Sequence, residues 1–139
     1  MVPEINYIAV VLATLSSMVI GSIWYTPRVF GNYWMKQTGV NPSGNSRDAV
    51  IPIIVTLLVS FITAWVLAGA AYISWEFYGG SFLVNSLFTA AILWAGFTAA
   101  RFVTHDAFDK RPSGLTILNI AHEFVTVLVM GLIIGVWPA

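Results

Sequence analysis

The stretch LTILNIAHEFVTVLVMGLIIGV, residues 115–136, is almost entirely apolar but includes one histidine and one glutamate, His122 and Glu123. A helix of about 20 apolar residues crosses the hydrocarbon core of a bilayer. The stretch is therefore predicted to be a membrane-spanning helix with an ionisable pair inside the lipid. Because charged groups are costly at that depth, the pair needs a structural or functional explanation.

The composition of the whole chain is also that of a membrane protein. Of the 139 residues, 58% are hydrophobic and 9% are charged, whereas about 25% of an average soluble domain is charged. Six basic residues balance six acidic ones, which argues against nucleic acid as a partner. The lack of cysteine excludes disulfides and thiolate metal sites. No nucleotide, cofactor or catalytic motif stands out, so the lipid bilayer is the partner that the composition predicts.

Hydropathy predicts an all-α fold, an integral membrane four-helix bundle forming a single domain over residues 1–139. The first span is interpreted as a retained helix rather than a signal peptide, because no Lys or Arg precedes it and it is long enough to cross. The predicted spans cover about residues 5–25, 49–73, 82–104 and 115–136.

An aromatic segment follows the first span. Pro27 ends the helix, because proline lacks an amide donor and disfavours helix in the residue before it. Basic residues flank the aromatic ones, which predicts a short helix in the headgroup layer at about residues 28–38, between the first two spans. Anchoring at the interface accounts for this motif more simply than ligand recognition does. The motif consists of Trp24, Tyr25, Pro27, Phe30 and Trp34.

The basic residues predict the orientation. All six lie at or in two connections: Arg28, Lys36 and Arg47 at the first, and Arg101, Lys110 and Arg111 at the last. Cytoplasmic loops of membrane proteins carry an excess of Lys and Arg. Both basic loops are therefore expected in the cytoplasm and both termini outside.

Small residues predict where the helices pack, because they let membrane helices approach closely. In the first span, Gly21 shares a stripe with Asn6, Ser17 and Trp24. In the fourth span, a glycine pair lies nearly opposite the polar residues, so this helix is expected to need partners on two sides, from its own chain and from a second copy. The predicted packing residues are Gly21, Ala91, Ala95, Gly96, Ala99, Gly131 and Gly135.

Polar residues of the last two spans predict a pocket in the cytoplasmic half of the bilayer, with Glu123 about 10 to 12 Å below the surface. Two interpretations stay open. Either the pocket binds a solute or a proton, or an Arg101–Glu123 ion pair fixes the register of the two helices. A metal site at His105, Asp106 and His122 is a weaker alternative, because two histidines on separate helices are a poor signal. The candidate pocket comprises Arg101, His105, Asn119, His122 and Glu123.

Both ends of the chain resemble a family of small bacterial membrane proteins catalogued as domain of unknown function 1761. The resemblance is carried by Asn6-Tyr7, by GSIWYTPRVFG at 21–31 with Trp34-Met35, and by LNIAH at 118–122 with Met130-Gly131 and Gly135-Val136-Trp137. It implies a four-span fold and carries over no catalytic residue.

The sequence favours a bacterial inner-membrane protein that binds or passes a small solute or proton through a cytoplasm-facing pocket. A chain of this length rarely encloses a pathway alone, so this function requires an oligomer. The alternative is a structural or accessory subunit of a larger membrane complex. A lipid-modifying enzyme is a third interpretation, because a histidine beside a carboxylate can perform acid–base chemistry, but no matching nucleophile is evident.

Overall fold

The computed structural model describes residues 2–41 and 44–139, and within them the chain is helical and contains no strand. Four of its helical rods are long and apolar enough to cross a membrane, which confirms the predicted all-α, membrane-spanning class. One rod is continuous from α4 through a π-helical segment into α5. The elements are α1 (Tyr7–Trp24), α2 (Gly31–Thr38), α3 (Ser46–Tyr78), α4 (Phe82–Leu93), the π segment (Trp94–Ala99), α5 (Ala100–Phe108) and α6 (Ser113–Val136).

α3 is longer than the predicted 49–73 at both ends. Its 33 residues make a rod about 50 Å long, against a hydrocarbon core of about 30 Å. Residues 74–78, which lie beyond the predicted span, are helical. The chain reverses at Gly79 and Gly80, with φ of 70° and 75°. The Asn85 amide secures this reversal by donating to the carbonyl of Gly79 at 2.9 Å and accepting from Ser74 Oγ at 2.9 Å.

The third rod also continues past its predicted end at residue 104, to Phe108. The connection to α6 is therefore shorter than the sequence predicts. Asp106 is the reason, because its buried carboxylate accepts a hydrogen bond from Thr116 Oγ1 at 2.6 Å and joins the end of α5 to the start of α6. Its carbonyl accepts from the Arg111 amide at 2.9 Å. The reversal itself therefore needs only residues 109–112.

α6 lies between α1 and α4. Its two glycines face α4: a Cβ at Gly131 would lie 3.2 Å from Ala90 Cβ, and one at Gly135 would lie 2.9 Å from Leu83 Cα. α1 and α4 of the same chain thus supply partners on two sides of this helix, and contact with a second copy stays a prediction.

The predicted packing residues of the third rod pack only in part within this chain. Ala95 and Gly96 are exposed, and a Cβ added at Gly96 would meet nothing within 4 Å. Ser86 and Ala90 are buried in their place, because they lie on the face that meets α6. Ala91 and Ala99 are half-buried.

The apolar core lies toward the end of the bundle that holds both chain termini. α3 joins this core through its second half, whereas the side chains at positions 49–59 are all exposed. The first half of α3 therefore stands off from α1 and α6 and leaves open space at the end that carries the basic loops. The core cluster consists of Val10, Ala13, Ala64, Leu67, Ala68, Ala90, Val127, Met130 and Ile134.

Candidate functional site

Glu123 and His122 project from α6 into the space that α3 leaves open. His122 Nδ1 lies 3.5 Å from Glu123 Oε1, and the two side chains are 13% and 36% exposed. Within the described part of the chain, the Glu123 carboxylate accepts no hydrogen bond and has no other ion-pair partner. The oxygens of this half-buried carboxylate therefore have unused acceptor capacity.

An aromatic cluster covers His122. Its ring centroid lies 5.0 Å from that of Tyr25 and 5.8 Å from that of Trp24. Trp24 in turn contacts Phe30 at 4.8 Å, and Tyr25 contacts Trp34 at 5.8 Å. The motif predicted as an interfacial anchor thus turns two of its rings inward, onto α6.

Hydrogen bonds and close packing fix how the cluster meets α6. Tyr25 donates its hydroxyl proton to Asn119 Oδ1 at 2.8 Å. Burial, with a smaller contribution from the Glu123 carboxylate, raises the pKa of Tyr25 to about 12, so the phenol keeps its proton near neutral pH. Gly21 borders the imidazole, and a Cβ there would make an ordinary van der Waals contact with His122 Nε2 at 3.6 Å.

Two ring nitrogens of the cluster are buried without a hydrogen-bond partner among the described residues, Trp24 Nε1 and His122 Nε2. The imidazole is therefore held in place by ring contacts and by its α6 backbone rather than by hydrogen bonds.

A cavity of about 620 Å³, here called the inner cavity, lies between α1, α3 and α6. Its size is within the range of small-molecule sites. Apolar side chains such as Met18, Ile53, Val127 and Met130 form much of its wall. The polar lining residues are Ser17, Ser22, Tyr25, Thr56, Ser60, Thr63, His122, Glu123 and Thr126.

A second cavity of about 530 Å³, here called the loop-side cavity, extends toward the turn between α5 and α6. Glu123, Val59 and Thr63 line both cavities, so the carboxylate lies where the two spaces meet. The charged and polar residues of the loop-side cavity are Thr63, Thr98, Arg101, His105, Asp106, Asp109, Arg111, Asn119 and Glu123.

The predicted pocket residues are thus divided between two spaces. Arg101, His105 and Asn119 line the loop-side cavity, and His122 lines the inner one. Arg101 forms no ion pair within the residues that the structure describes, so the Arg101–Glu123 pair considered from the sequence is absent. No group of three or more His, Asp or Glu side chains in the described ranges could hold a metal ion.

Sequence reasoning did not assign two parts of this site. Thr56, Ser60 and Thr63 form a visible hydroxyl stripe on an apolar helix, but the same pattern is common in helix packing. Tyr25 was predicted only as part of the interfacial motif, because its contact with Asn119 joins residues 94 positions apart.

The fold and the site together define a multi-pass helical membrane protein with a polar cavity at one end of its bundle. The chain belongs to the family described as protein of unknown function DUF1761, whose family model matches residues 8–135, and this confirms the resemblance noted in the sequence. No curated protein and no solved structure matches the chain.

Cysteine labelling can test whether the inner cavity is filled with water. The protein has no cysteine of its own, so single variants need no background changes. Ser60→Cys, which faces the cavity, is expected to react with a charged methanethiosulfonate about tenfold faster than Leu58→Cys, which lies on the exposed, lipid-facing side of α3. The physical reason is that a thiol ionises poorly in apolar surroundings. Equal rates at the two positions would mean that lipid fills the cavity.

Proposed function

We propose that this protein binds a small solute in the inner cavity and passes the solute, or a proton, between the inner and loop-side cavities. The observation that supports this best is the position of Glu123 at the junction of the two cavities. Among the described residues, its carboxylate has no hydrogen bond and no basic partner other than His122. A carboxylate at that depth costs several kcal/mol unless it is paired, hydrated or protonated. A solute or proton would supply the missing partner.

The proposed side of entry is the cytoplasm of a bacterial inner membrane. The loop-side cavity lies beside Asp109 and Arg111, in a connection rich in basic residues, and such connections are cytoplasmic by the positive-inside rule. Toward the other end, the core around Val10, Leu67 and Ile134 is closely packed. Binding from one side therefore fits this conformation, and passage requires either a second conformation or a second copy.

The test is a thermal-shift screen of the protein in lipid nanodiscs against small solutes of different charge. A bound solute raises the melting temperature, because ligand at 100 times its Kd stabilises the folded state by about 2.7 kcal/mol. Glu123→Gln, in the inner cavity, is expected to abolish this shift. Arg101→Ala, which changes only the loop-side cavity, is expected to keep the shift but to reduce passage. Glu76→Gln, an exposed acid of α3 outside both cavities, is expected to change neither. Solutes that bind are then tested for passage in proteoliposomes. If both cavity variants retain binding and passage, the proposal fails.

A second candidate function is that of a structural or accessory subunit. It is favoured by the small-residue surface at Ala95 and Gly96, which none of the described residues covers, because such surfaces allow close contact between membrane helices. Purification in mild detergent separates the candidates. A different protein retained in fixed stoichiometry favours the accessory role, and a homo-oligomer favours the solute-binding one.

A further inference from the structure

We infer that the ligand of the inner cavity is an organic cation of the protonated-amine class, with an apolar body. This inference rests on the proposed function and narrows it to one chemical class. It follows from the hydrogen-bonding state of the cavity wall, which offers acceptors and almost no donors.

The hydroxyl protons of the threonines in the wall are already used. Thr56 donates to the Pro52 carbonyl at 2.7 Å, and Thr63 donates to that of Val59 at 3.0 Å. On α6, Thr126 donates to the carbonyl of His122 at 2.9 Å. Each hydroxyl therefore has only oxygen lone pairs left to offer a ligand.

The hydroxyls on the α1 side are used in the same way. Ser17 donates to the Thr14 carbonyl at 2.7 Å and Ser22 to the Val19 carbonyl at 2.8 Å. The phenol of Tyr25 donates to Asn119. Among the lining hydroxyls only Ser60 donates to no described residue, and no lining residue is Lys, Arg, Asn or Gln.

The charge of the wall points to the same class of ligand. Glu123 is its one carboxylate, and the nearest basic atom is the imidazole Nδ1 at 3.5 Å. An ammonium group carries several N–H donors and a positive charge, which match a carboxylate and a ring of hydroxyl lone pairs. Tyr25 also lines this cavity, and aromatic rings attract cations.

The rest of the cavity matches an apolar body. Met18, Ile53, Val127 and Met130 line the space around the polar groups, and methionine side chains adapt to ligands of different shape. An anion or a strong acceptor would meet lone pairs here and lose its hydration without replacement.

The experiment compares three probes with similar phenyl bodies and different head groups: 2-phenylethylamine, 2-phenylethanol and 3-phenylpropionate. Binding to the full chain in nanodiscs is measured by titration calorimetry at pH 7, with empty nanodiscs subtracted to remove partitioning into lipid. The amine is expected to bind at least about tenfold more tightly than the alcohol, and the carboxylate most weakly. Glu123→Gln should remove the preference for the amine, Glu123→Asp should restore part of it, and Glu76→Gln should leave it unchanged.

The outcomes separate this inference from the proposed function. Equal or tighter binding of the alcohol or the carboxylate, abolished by Glu123→Gln, would leave a solute site in the inner cavity and overturn only the inference about its charge class. A preference for the amine that survives Glu123→Gln would place recognition elsewhere and also overturn the inference. If the amine does not bind, the inference about the ligand class is wrong. The solute screen alone then tests the proposed function.

Discussion

Gly31→Ala is expected to lower the free energy of unfolding by about 3 kcal/mol, the upper part of the range for overpacking, and to weaken any binding in the inner cavity. A Cβ at this position would lie 2.6 Å from the carbonyl carbon of Thr26 and 2.7 Å from its oxygen, and would also overlap the Tyr25 carbonyl. These are backbone atoms of the turn between α1 and α2, so no side-chain rotation can make room.

The expected effect reaches the candidate site because the same turn carries Tyr25. Gly31 donates its amide proton to the Thr26 carbonyl at 2.7 Å, and opening the turn breaks this bond and moves the phenol away from Asn119. The wall of the inner cavity would then lose both a ring and a fixed hydrogen bond. Loss of stability and loss of ligand binding should therefore occur together in this variant.

Chemical unfolding in mixed micelles, followed by tryptophan fluorescence, measures the stability change. Gly96→Ala is the matched control, because a Cβ there meets nothing within 4 Å and alanine favours helix by about 1 kcal/mol over glycine. If Gly31→Ala unfolds at the same denaturant concentration as the unaltered protein, the close turn described here is incorrect.

Gly135→Ala is expected to lower the free energy of unfolding by about 2 kcal/mol, again through overpacking. Its Cβ would lie 2.8 Å from Leu83 Cδ1, 2.9 Å from Leu83 Cα and 3.2 Å from Ser86 Cβ. The side chain of Leu83 can rotate away, but its Cα moves only if α4 and α6 separate. Such separation would also weaken the hydrogen bond that Ser86 Oγ donates to the Gly131 carbonyl at 2.7 Å.

The same unfolding measurement ranks three glycine variants. Gly131→Ala should be milder than Gly135→Ala, because its closest contacts are at 3.2 Å, and Gly96→Ala should cost nothing. Unlike Gly31→Ala, the change at position 135 lies away from both cavities, so ligand binding should persist in the protein that remains folded. If Gly135→Ala costs no more than Gly96→Ala, the close packing of α4 against α6 is contradicted.

Hydropathy was sufficient to predict the four long helices, because each apolar run is long enough to cross lipid. Their ends were harder to predict, since they depend on contacts between residues distant in sequence. The second span continues to Tyr78 because Asn85 of the next rod stabilises the reversal. The third continues to Phe108 because Asp106 is bonded to Thr116. Neither contact leaves a signal in local composition.

The polar residues of the site could be named from the sequence because ionisable groups stand out in apolar runs. The arrangement of these residues could not be predicted from the sequence, because a π-helical segment, Trp94–Ala99, interrupts the third rod. A π turn changes the direction of every residue that follows it relative to a regular α-helix, so helical periodicity misplaces Arg101 and His105. The indole of Trp94, which donates to the Ile120 carbonyl at 2.8 Å, secures the start of this segment against α6.

The length of α3 has a consequence for how the protein depends on its membrane. A rod about 50 Å long fits a hydrocarbon layer of about 30 Å only by tilting or by extending beyond it. The tilt angle and the length that protrudes both change with bilayer thickness. Only the second half of α3 is packed in the core, so the first half is the part that can move when bilayer thickness changes. The width of the inner cavity is then set jointly by the chain and by the length of the surrounding acyl chains.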